Sequence, residues 1–118
     1  MSGIERRRHT RINQNLEIKL NLDDSLFVAE TINLSCSGAY CHLQREIPLM
    51  TRLRIVFCLP PIGKQKKDVV VECSGVVVRV EKGQKKDEYN IAIFFNQIEE
   101  KEQKKIERFV SAYQKEAS

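Results

Sequence analysis

Hydrophobic and polar residues alternate along most of the chain, and this pattern predicts a series of short strands. The segment LEIKLNL, residues 16–22, alternates strictly, which is typical of a strand with one buried face. Residues 26–34 are expected to form a second strand, with Val28, Ile32 and Leu34 on its inner face. Four further apolar segments predict strands at residues 39–43, 52–59, 69–80 and 89–95.

The end of the chain follows a helical period instead. Asn96 and Glu99 match the spacing of a capping box, so a helix is expected to begin near Asn96. Its apolar positions recur at helical intervals, at Ile98, Ile106, Phe109, Val110 and Tyr113. Gly75 interrupts the fifth strand, which predicts a bulge or a sharp bend there. The whole pattern favours a mainly β fold, a six-stranded antiparallel β-barrel with a C-terminal α-helix.

Composition places the chain among ordinary globular domains. Its 118 residues suit one domain, and 42% hydrophobic residues can build a core. The formal net charge of +4 is too small to indicate a nucleic-acid-binding protein by itself. The distribution of that charge is more informative, because arginines cluster at the N-terminus while lysines occupy two later runs, which are predicted to be solvated hairpin loops.

Targeting and metal-binding signals are missing from the sequence. The residues after Met1 are polar and basic, unlike a signal peptide, and no apolar run approaches the roughly 20 residues that span a bilayer. The four cysteines form no CxxC pair and have no histidine at a zinc-like spacing. We therefore expect a cytoplasmic protein with reduced thiols and no structural metal, in which Cys58 and Cys73 are buried in apolar strands.

The first candidate motif is the basic segment ERRRHTR, residues 5–11. Arg7 and Arg11 are four residues apart, so a flexible segment could bring both guanidinium groups onto one anion. Arginine suits this task because its planar fork makes paired hydrogen bonds to phosphate or to O6 and N7 of guanine. A solvated basic terminus without a ligand is the alternative, and the spacing alone does not exclude it.

The second candidate motif is NLSCSG, residues 33–38. Asn33 and Ser35 flank the apolar Leu34, so their side chains are expected to leave the strand on one face and could hydrogen-bond a base edge. Gly38 is expected to allow a turn with positive φ and to let the backbone approach a ligand. An ordinary transition from strand to turn is the alternative.

The two motifs together resemble the PilZ domain family. RxxxR at Arg7 and Arg11, followed by NxSxxG at Asn33, Ser35 and Gly38, matches the family's paired motifs, and the resemblance covers nearly the whole chain. It implies a barrel that binds the bacterial second messenger cyclic di-GMP (c-di-GMP). The first motif would lie on a mobile N-terminal ligand-binding segment, residues 1–14, and the second on the surface of the barrel and helix, residues 15–118.

The resemblance also predicts the stoichiometry. In the family, an arginine just before the first motif arginine tends to accompany two mutually intercalated c-di-GMP molecules, and Arg6 stands at this place. Arg79 is a further candidate that could contact the second ligand. Two departures from the family are Thr10, where many members have proline, and Ala92, where many have glycine.

Other classes of function fit the sequence less well than a c-di-GMP receptor. The sequence does not favour an enzyme or a cofactor, because His9 and His42 stand in no recognisable catalytic motif. A nucleic-acid-binding barrel is disfavoured by the absence of tryptophan and by only 7% aromatic residues. A PilZ-like protein adaptor that has lost its ligand is the remaining alternative. A receptor of this size is expected to be a monomer or weak homodimer and to act through an unidentified downstream protein.

Overall fold

The alternating segments form strands that hydrogen-bond side by side until the last one meets the first. The structure, a computed structural model, describes residues 10–117. Neighbouring strands are antiparallel and close a barrel in the order β1-β2-β3-β6-β5-β4. The elements are β1 (Glu17–Leu22), β2 (Ser25–Ser35), β3 (Gly38–Leu43), β4 (Arg52–Leu59), β5 (Val69–Lys82), β6 (Tyr89–Gln97) and α1 (Glu100–Ala117). The predicted fold class is confirmed.

The core of the barrel is filled by one side of each strand. In β1, Ile18 and Leu20 are fully buried, while Glu17 and Lys19 between and before them are exposed. Burying each such aliphatic side chain stabilises the fold by about 1.5–3 kcal/mol. The largest fully buried apolar side chains are Ile18, Leu20, Leu34, Ile47, Ile55, Leu59, Val71, Val77, Ile91 and Ile106.

Strand β2 differs from the expected alternation. Val28 is 52% exposed, so it does not share the inner face of Leu34, and Ala29 is buried instead. The reason is a shift of register against β3, where Thr31 pairs with Cys41 but Asn33 pairs with the adjacent Tyr40. The extra residue in β2 exchanges the inner and outer faces at this point, and the prediction for Val28 was therefore wrong.

The irregularity expected at Gly75 is confirmed. The register between β5 and β6 shifts between Ser74 and Val76. A Cβ atom at Gly75 would lie 2.7 Å from side-chain atoms of both Ile55 and Ile93, so the close approach of three strands requires glycine. A second shift follows between Val77 and Arg79.

Helix α1 begins later than the capping-box spacing predicts. Asn96 is still in β6, because the neighbouring Gln97 pairs with Ser74 of β5. The carbonyl of Glu99 accepts the backbone N–H of Gln103 at 3.0 Å, which makes Glu99 the residue that precedes the first turn. The expected helix start at Asn96 was wrong, since strand pairing prevailed over the local capping signal.

The helix packs its apolar face against the barrel. Ile106, Phe109 and Val110 are buried at the predicted spacing. A buried carboxylate adds a polar attachment: Glu102 accepts the backbone N–H of Glu72 in β5 at 2.8 Å and pairs with Lys105 at 2.7 Å. Burial alone would raise the pKa of Glu102, but the bonds from Lys105 and the Glu72 N–H outweigh it and lower that pKa.

The cysteines follow strand parity more closely than the apolar character of their neighbours. Cys58 is exposed, contrary to expectation, because the buried Phe57 and Leu59 on either side of it take the inner face. Cys73 is buried as predicted, and its burial raises the pKa of the thiol to about 12. Within residues 10–117, no helix combines the length and the apolar character needed to cross a bilayer.

Candidate ligand-binding site

The residues before β1 are hydrogen-bonded to strand β2 of the barrel. Ile12 is buried and exchanges two backbone hydrogen bonds with Leu34 of β2, each 3.0 Å long. Thr31 fixes the next residues, since its hydroxyl accepts the N–H of Leu16 at 2.8 Å and donates to the carbonyl of Gln14 at 2.5 Å. These bonds determine where Arg11 can reach.

Arg11 meets the second motif directly. Its Nη1 atom donates a 2.7 Å hydrogen bond to Oδ1 of Asn33. The two residues are 22 positions apart in the chain, and the Ile12–Leu34 pairing brings them together. The structure therefore places one arginine of the first motif beside the first residue of the second.

An open cleft of about 490 Å³ lies at this junction. Three of the predicted site residues, Arg11, Asn33 and Arg79, line it. Strands β3, β6 and β5 form its floor, and they also contribute two half-exposed apolar side chains, Val78 and Phe94. The described residues that line it are Arg11, Asn33, Ser37, Ala39, Tyr40, Val78, Arg79, Glu81, Ala92, Ile93 and Phe94.

A row of three side chains crosses the floor. Tyr40 of β3 pairs with Ala92 of β6, which pairs in turn with Arg79 of β5. The small Ala92 leaves room above it, and the Arg79 guanidinium carbon lies 6.0 Å from the centre of the Tyr40 ring. A small residue at position 92 therefore suits the cleft, and nothing in the structure explains why it is alanine instead of glycine.

Glu81 introduces a negative charge beside Arg79. Its Oε1 atom accepts a 2.5 Å hydrogen bond from the Tyr40 hydroxyl, and its Oε2 atom lies 3.8 Å from Nη1 of Arg79. The bond to the carboxylate raises the pKa of Tyr40, which keeps the hydroxyl protonated as a donor. The floor therefore carries an ordered set of one donor, one cation and one acceptor.

Ser35 and Gly38 do not line the cleft, although the sequence predicts both as ligand-binding residues. Ser35 is fully buried, and its hydroxyl is 3.0 Å from that of Ser37 and accepts the Ser37 N–H at 3.2 Å. The position of Ser37, which does line the cleft, depends on these bonds. Ser35 therefore shapes the turn instead of facing the cleft beside Asn33.

Gly38 has a different role from the expected one. It does not have positive φ; among the described glycines only Gly63 does. A Cβ atom at Gly38 would collide with the backbone carbonyl of Ile93, so glycine is required by the close pairing of β3 and β6. The predicted turn conformation was wrong. A bulky side chain here would disturb the barrel itself.

Arg6 and Arg7, the other two predicted arginines, lie outside the described residues. The sequence predictions did not include Tyr40, Ser37, Glu81, Val78 or Phe94. Glu81 could have been recognised from its spacing, because it is two residues after Arg79 in the same strand and shares its face. Tyr40 could not, since its position depends on the pairing of β3 with β6, which are not consecutive.

A larger cavity lies elsewhere, between β5 and α1. It measures about 610 Å³ and is lined by no described residue of either motif. Four of its charged side chains pair with one another, Arg54 with Glu72 at 3.6 Å and Lys105 with Glu102 at 2.7 Å. Its volume favours this cavity as a binding site. The charged side chains favour the cleft at Arg11 instead, where the described lining residues include two arginines and a single carboxylate. Residues 10–117 contain no cluster of three His, Cys, Asp or Glu side chains that could hold a metal ion.

A family model described as the PilZ domain matches residues 5–112. The chain belongs to the PilZ domain family. The match covers all six strands of the barrel and most of α1, so the fold of this PilZ domain is covered by the family model. Comparison with curated proteins gives no match.

Solved structures share the fold of this PilZ domain. The Bacillus subtilis inhibitor of motility MotI/DgrA superposes with a TM-score of 0.74 and 16% identity over 88% of the chain. Escherichia coli YcgR in complex with c-di-GMP superposes with a TM-score of 0.74 and 18% identity over 95% of the chain. The chain spans about half of those two proteins, 49% and 47% of their lengths. It covers 94% of the isolated PilZ domain of YcgR with c-di-GMP, at a TM-score of 0.68 and 17% identity.

Proposed function

We propose that this PilZ domain is a receptor for c-di-GMP that binds the ligand between its N-terminal RxxxR segment and its NxSxxG surface. The observation that carries the proposal is the 2.7 Å hydrogen bond from Arg11 to Asn33 in an open cleft. That bond joins the two motifs at one point. YcgR, which shares the fold, has been solved with c-di-GMP.

The charge of the cleft suits a ligand with two phosphates. Arg11 and Arg79 line it, and each guanidinium offers several N–H donors in a planar fork. Arg7 and Arg6 precede Arg11 by four and five residues, and an extended chain spans at most about 3.6 Å per residue, so their backbones start within roughly 18 Å of Arg11. Its volume of about 490 Å³ is also of the size that binds small molecules.

The surface of the cleft suits a purine base. Val78 and Phe94 present apolar area about half exposed to solvent, and Tyr40 adds an aromatic ring under Arg79. Exposed apolar and aromatic groups next to cations favour flat, anionic, aromatic ligands. The lining residues offer hydrogen-bond donors, one carboxylate acceptor and stacking area. These groups suit a binding protein, and we propose no catalysed reaction.

Two ligands per chain are proposed because Arg6 adds a cation before Arg7, and an intercalated pair of c-di-GMP molecules brings four phosphates together. Arg79, 63% exposed, would face the outer ligand. The receptor would work in the cytoplasm, as a monomer or weak homodimer. The N-terminal segment, ordered over the ligand, would present a changed surface to a downstream protein.

Calorimetric titration tests the proposal. We expect saturable binding of c-di-GMP with two ligands per chain, and binding of cyclic di-AMP at least tenfold weaker. A lack of heat with c-di-GMP at millimolar ligand would contradict it and favour the adaptor alternative. Binding of a single-stranded oligonucleotide whose affinity falls steeply with salt would instead favour the nucleic-acid-binding alternative.

A further inference from the structure

The cleft contains one feature that opposes the binding of an anion. Among its described lining residues, Glu81 is the single carboxylate, and it is 44% exposed. A ligand with two phosphates is repelled by this charge, and Arg79 is partly neutralised by it at 3.8 Å. A carboxylate in this position favours the ligand proposed above only if it accepts hydrogen bonds from that ligand.

Glu81 is held ready to accept such bonds. The Tyr40 hydroxyl occupies one site of Oε1, and Arg79 flanks Oε2. A carboxylate offers about four lone-pair sites, so acceptor capacity remains on both oxygens. Because strand β5 and the Tyr40 bond fix the side chain, little rotamer freedom is left to lose when a ligand binds.

Guanine presents matching donors. Its Watson–Crick edge carries N1–H and the exocyclic N2 amino group side by side, and two parallel donors match the two oxygens of a carboxylate. Adenine has an acceptor at N1 and lacks the N2 group. A carboxylate therefore distinguishes guanine from adenine at the Watson–Crick edge, which adjoins the O6 and N7 acceptors that arginine reads.

Among the described lining residues, the opposite wall of the cleft has no second carboxylate. Oδ1 of Asn33 already accepts the Arg11 guanidinium at 2.7 Å, which leaves this oxygen one lone pair, and the amide N–H₂ of Asn33 adds two donors. Arg11 and Asn33 thus offer donors for the acceptor edge of a purine. Glu81 is the acceptor that can meet the donor edge of a guanine.

We propose that Glu81 is a specificity-determining residue whose carboxylate accepts hydrogen bonds from N1–H and N2–H of a bound guanine. Tyr40 is the positioning residue that holds this carboxylate. The inference rests on the proposed function and adds to it a group that selects the guanine base, while the arginines bind mainly the phosphates.

The test compares the parent with Glu81→Gln, using c-di-GMP, its inosine analogue cyclic di-IMP, which lacks the N2 amino group, and cyclic di-AMP. We expect Glu81→Gln to weaken c-di-GMP binding about tenfold or more, and to bring c-di-GMP and cyclic di-IMP closer in affinity. Glu46→Gln, an exposed residue outside the cleft, is the matched control and should change neither quantity.

The sign of the effect is decisive. Removing a negative charge near an anionic ligand should tighten binding if Glu81 acts only through repulsion. Unchanged or tighter binding of c-di-GMP by folded Glu81→Gln would therefore overturn the inference and leave the receptor assignment in place. Failure of the parent to bind c-di-GMP would overturn the receptor assignment, and this inference with it. Tyr40→Phe gives a second measurement, expected to reduce the preference for c-di-GMP over cyclic di-IMP.

Discussion

Replacement of Arg11 by alanine is the sharpest perturbation of the proposed site. The side chain is exposed, and its Nη1 atom donates a hydrogen bond to Oδ1 of Asn33 at 2.7 Å. The neighbouring Ile12 carries the buried contact and both backbone bonds to Leu34, so the barrel does not depend on the arginine. We therefore expect Arg11→Ala to lose ligand binding while the melting temperature hardly changes.

The magnitude follows from the geometry of the donor. A hydrogen bond to a charged group contributes about 1.5–3 kcal/mol, which corresponds to a ten- to roughly hundredfold loss of affinity for each bond removed. Arg11→Lys retains the charge but loses the planar fork, so it should recover only part of this loss. Asn33→Ala removes the partner that orients Arg11 and should weaken binding less than Arg11→Ala does.

Calorimetry with c-di-GMP on the single variants and on the double variant measures the coupling. Because Arg11 and Asn33 are in contact, the combined loss should be smaller than the sum of the two single losses. Arg52→Ala, which removes an exposed arginine from β4 outside the cleft, controls for net charge. Parent-like affinity in folded Arg11→Ala would refute the site, and strictly additive losses would refute the idea that the two residues act as a unit.

Three further predictions concern other parts of the molecule. Arg6→Leu should lower the calorimetric ratio from two ligands per chain to one, and a parent ratio of one would contradict the role of Arg6. Gly38→Ala should destabilise the fold by more than about 1 kcal/mol in urea unfolding, because the added Cβ meets the Ile93 carbonyl. The control is Gly83→Ala, whose added Cβ meets only the Glu88 side chain and which should destabilise the fold less. Glu102→Gln should lower the melting temperature at pH 7, and this loss should shrink below about pH 4. A carboxyl whose folded pKa is lowered stabilises the fold above its unfolded pKa and loses that contribution in acid. An equal loss of melting temperature at all pH values would count against this prediction.

Local alternation predicts the strands well because each strand buries one face whatever its neighbours are. It fails where pairing adds a residue, as at the β2 bulge, where Val28 turns outward. It also fails at Asn96, because the capping signal is local while the pairing of Gln97 with Ser74 joins residues far apart in the chain. The ends and inner faces of strands therefore depend on contacts between distant residues, which the local pattern of hydrophobic residues does not encode.

The candidate site divides in the same way. Arg11 and Asn33 could be predicted because their residue types and spacing form a motif, and the structure brings them together. Tyr40 and Glu81 could not be predicted as a pair, because they meet across strands whose order in the barrel differs from their order in the sequence. Gly38 was named correctly as special but for the wrong reason, since its missing Cβ serves the strand pairing.

The attachment of Ile12 to Leu34 has a consequence for how a signal leaves the protein. Arg11, which touches the cleft, is covalently next to the residue that ties the chain to the barrel. Ile12 therefore fixes the point at which the chain reaches the cleft. Under the proposed function, a ligand that engages Arg11 would set the direction in which the chain before it departs. Occupancy of the cleft would then be converted into the orientation of that chain.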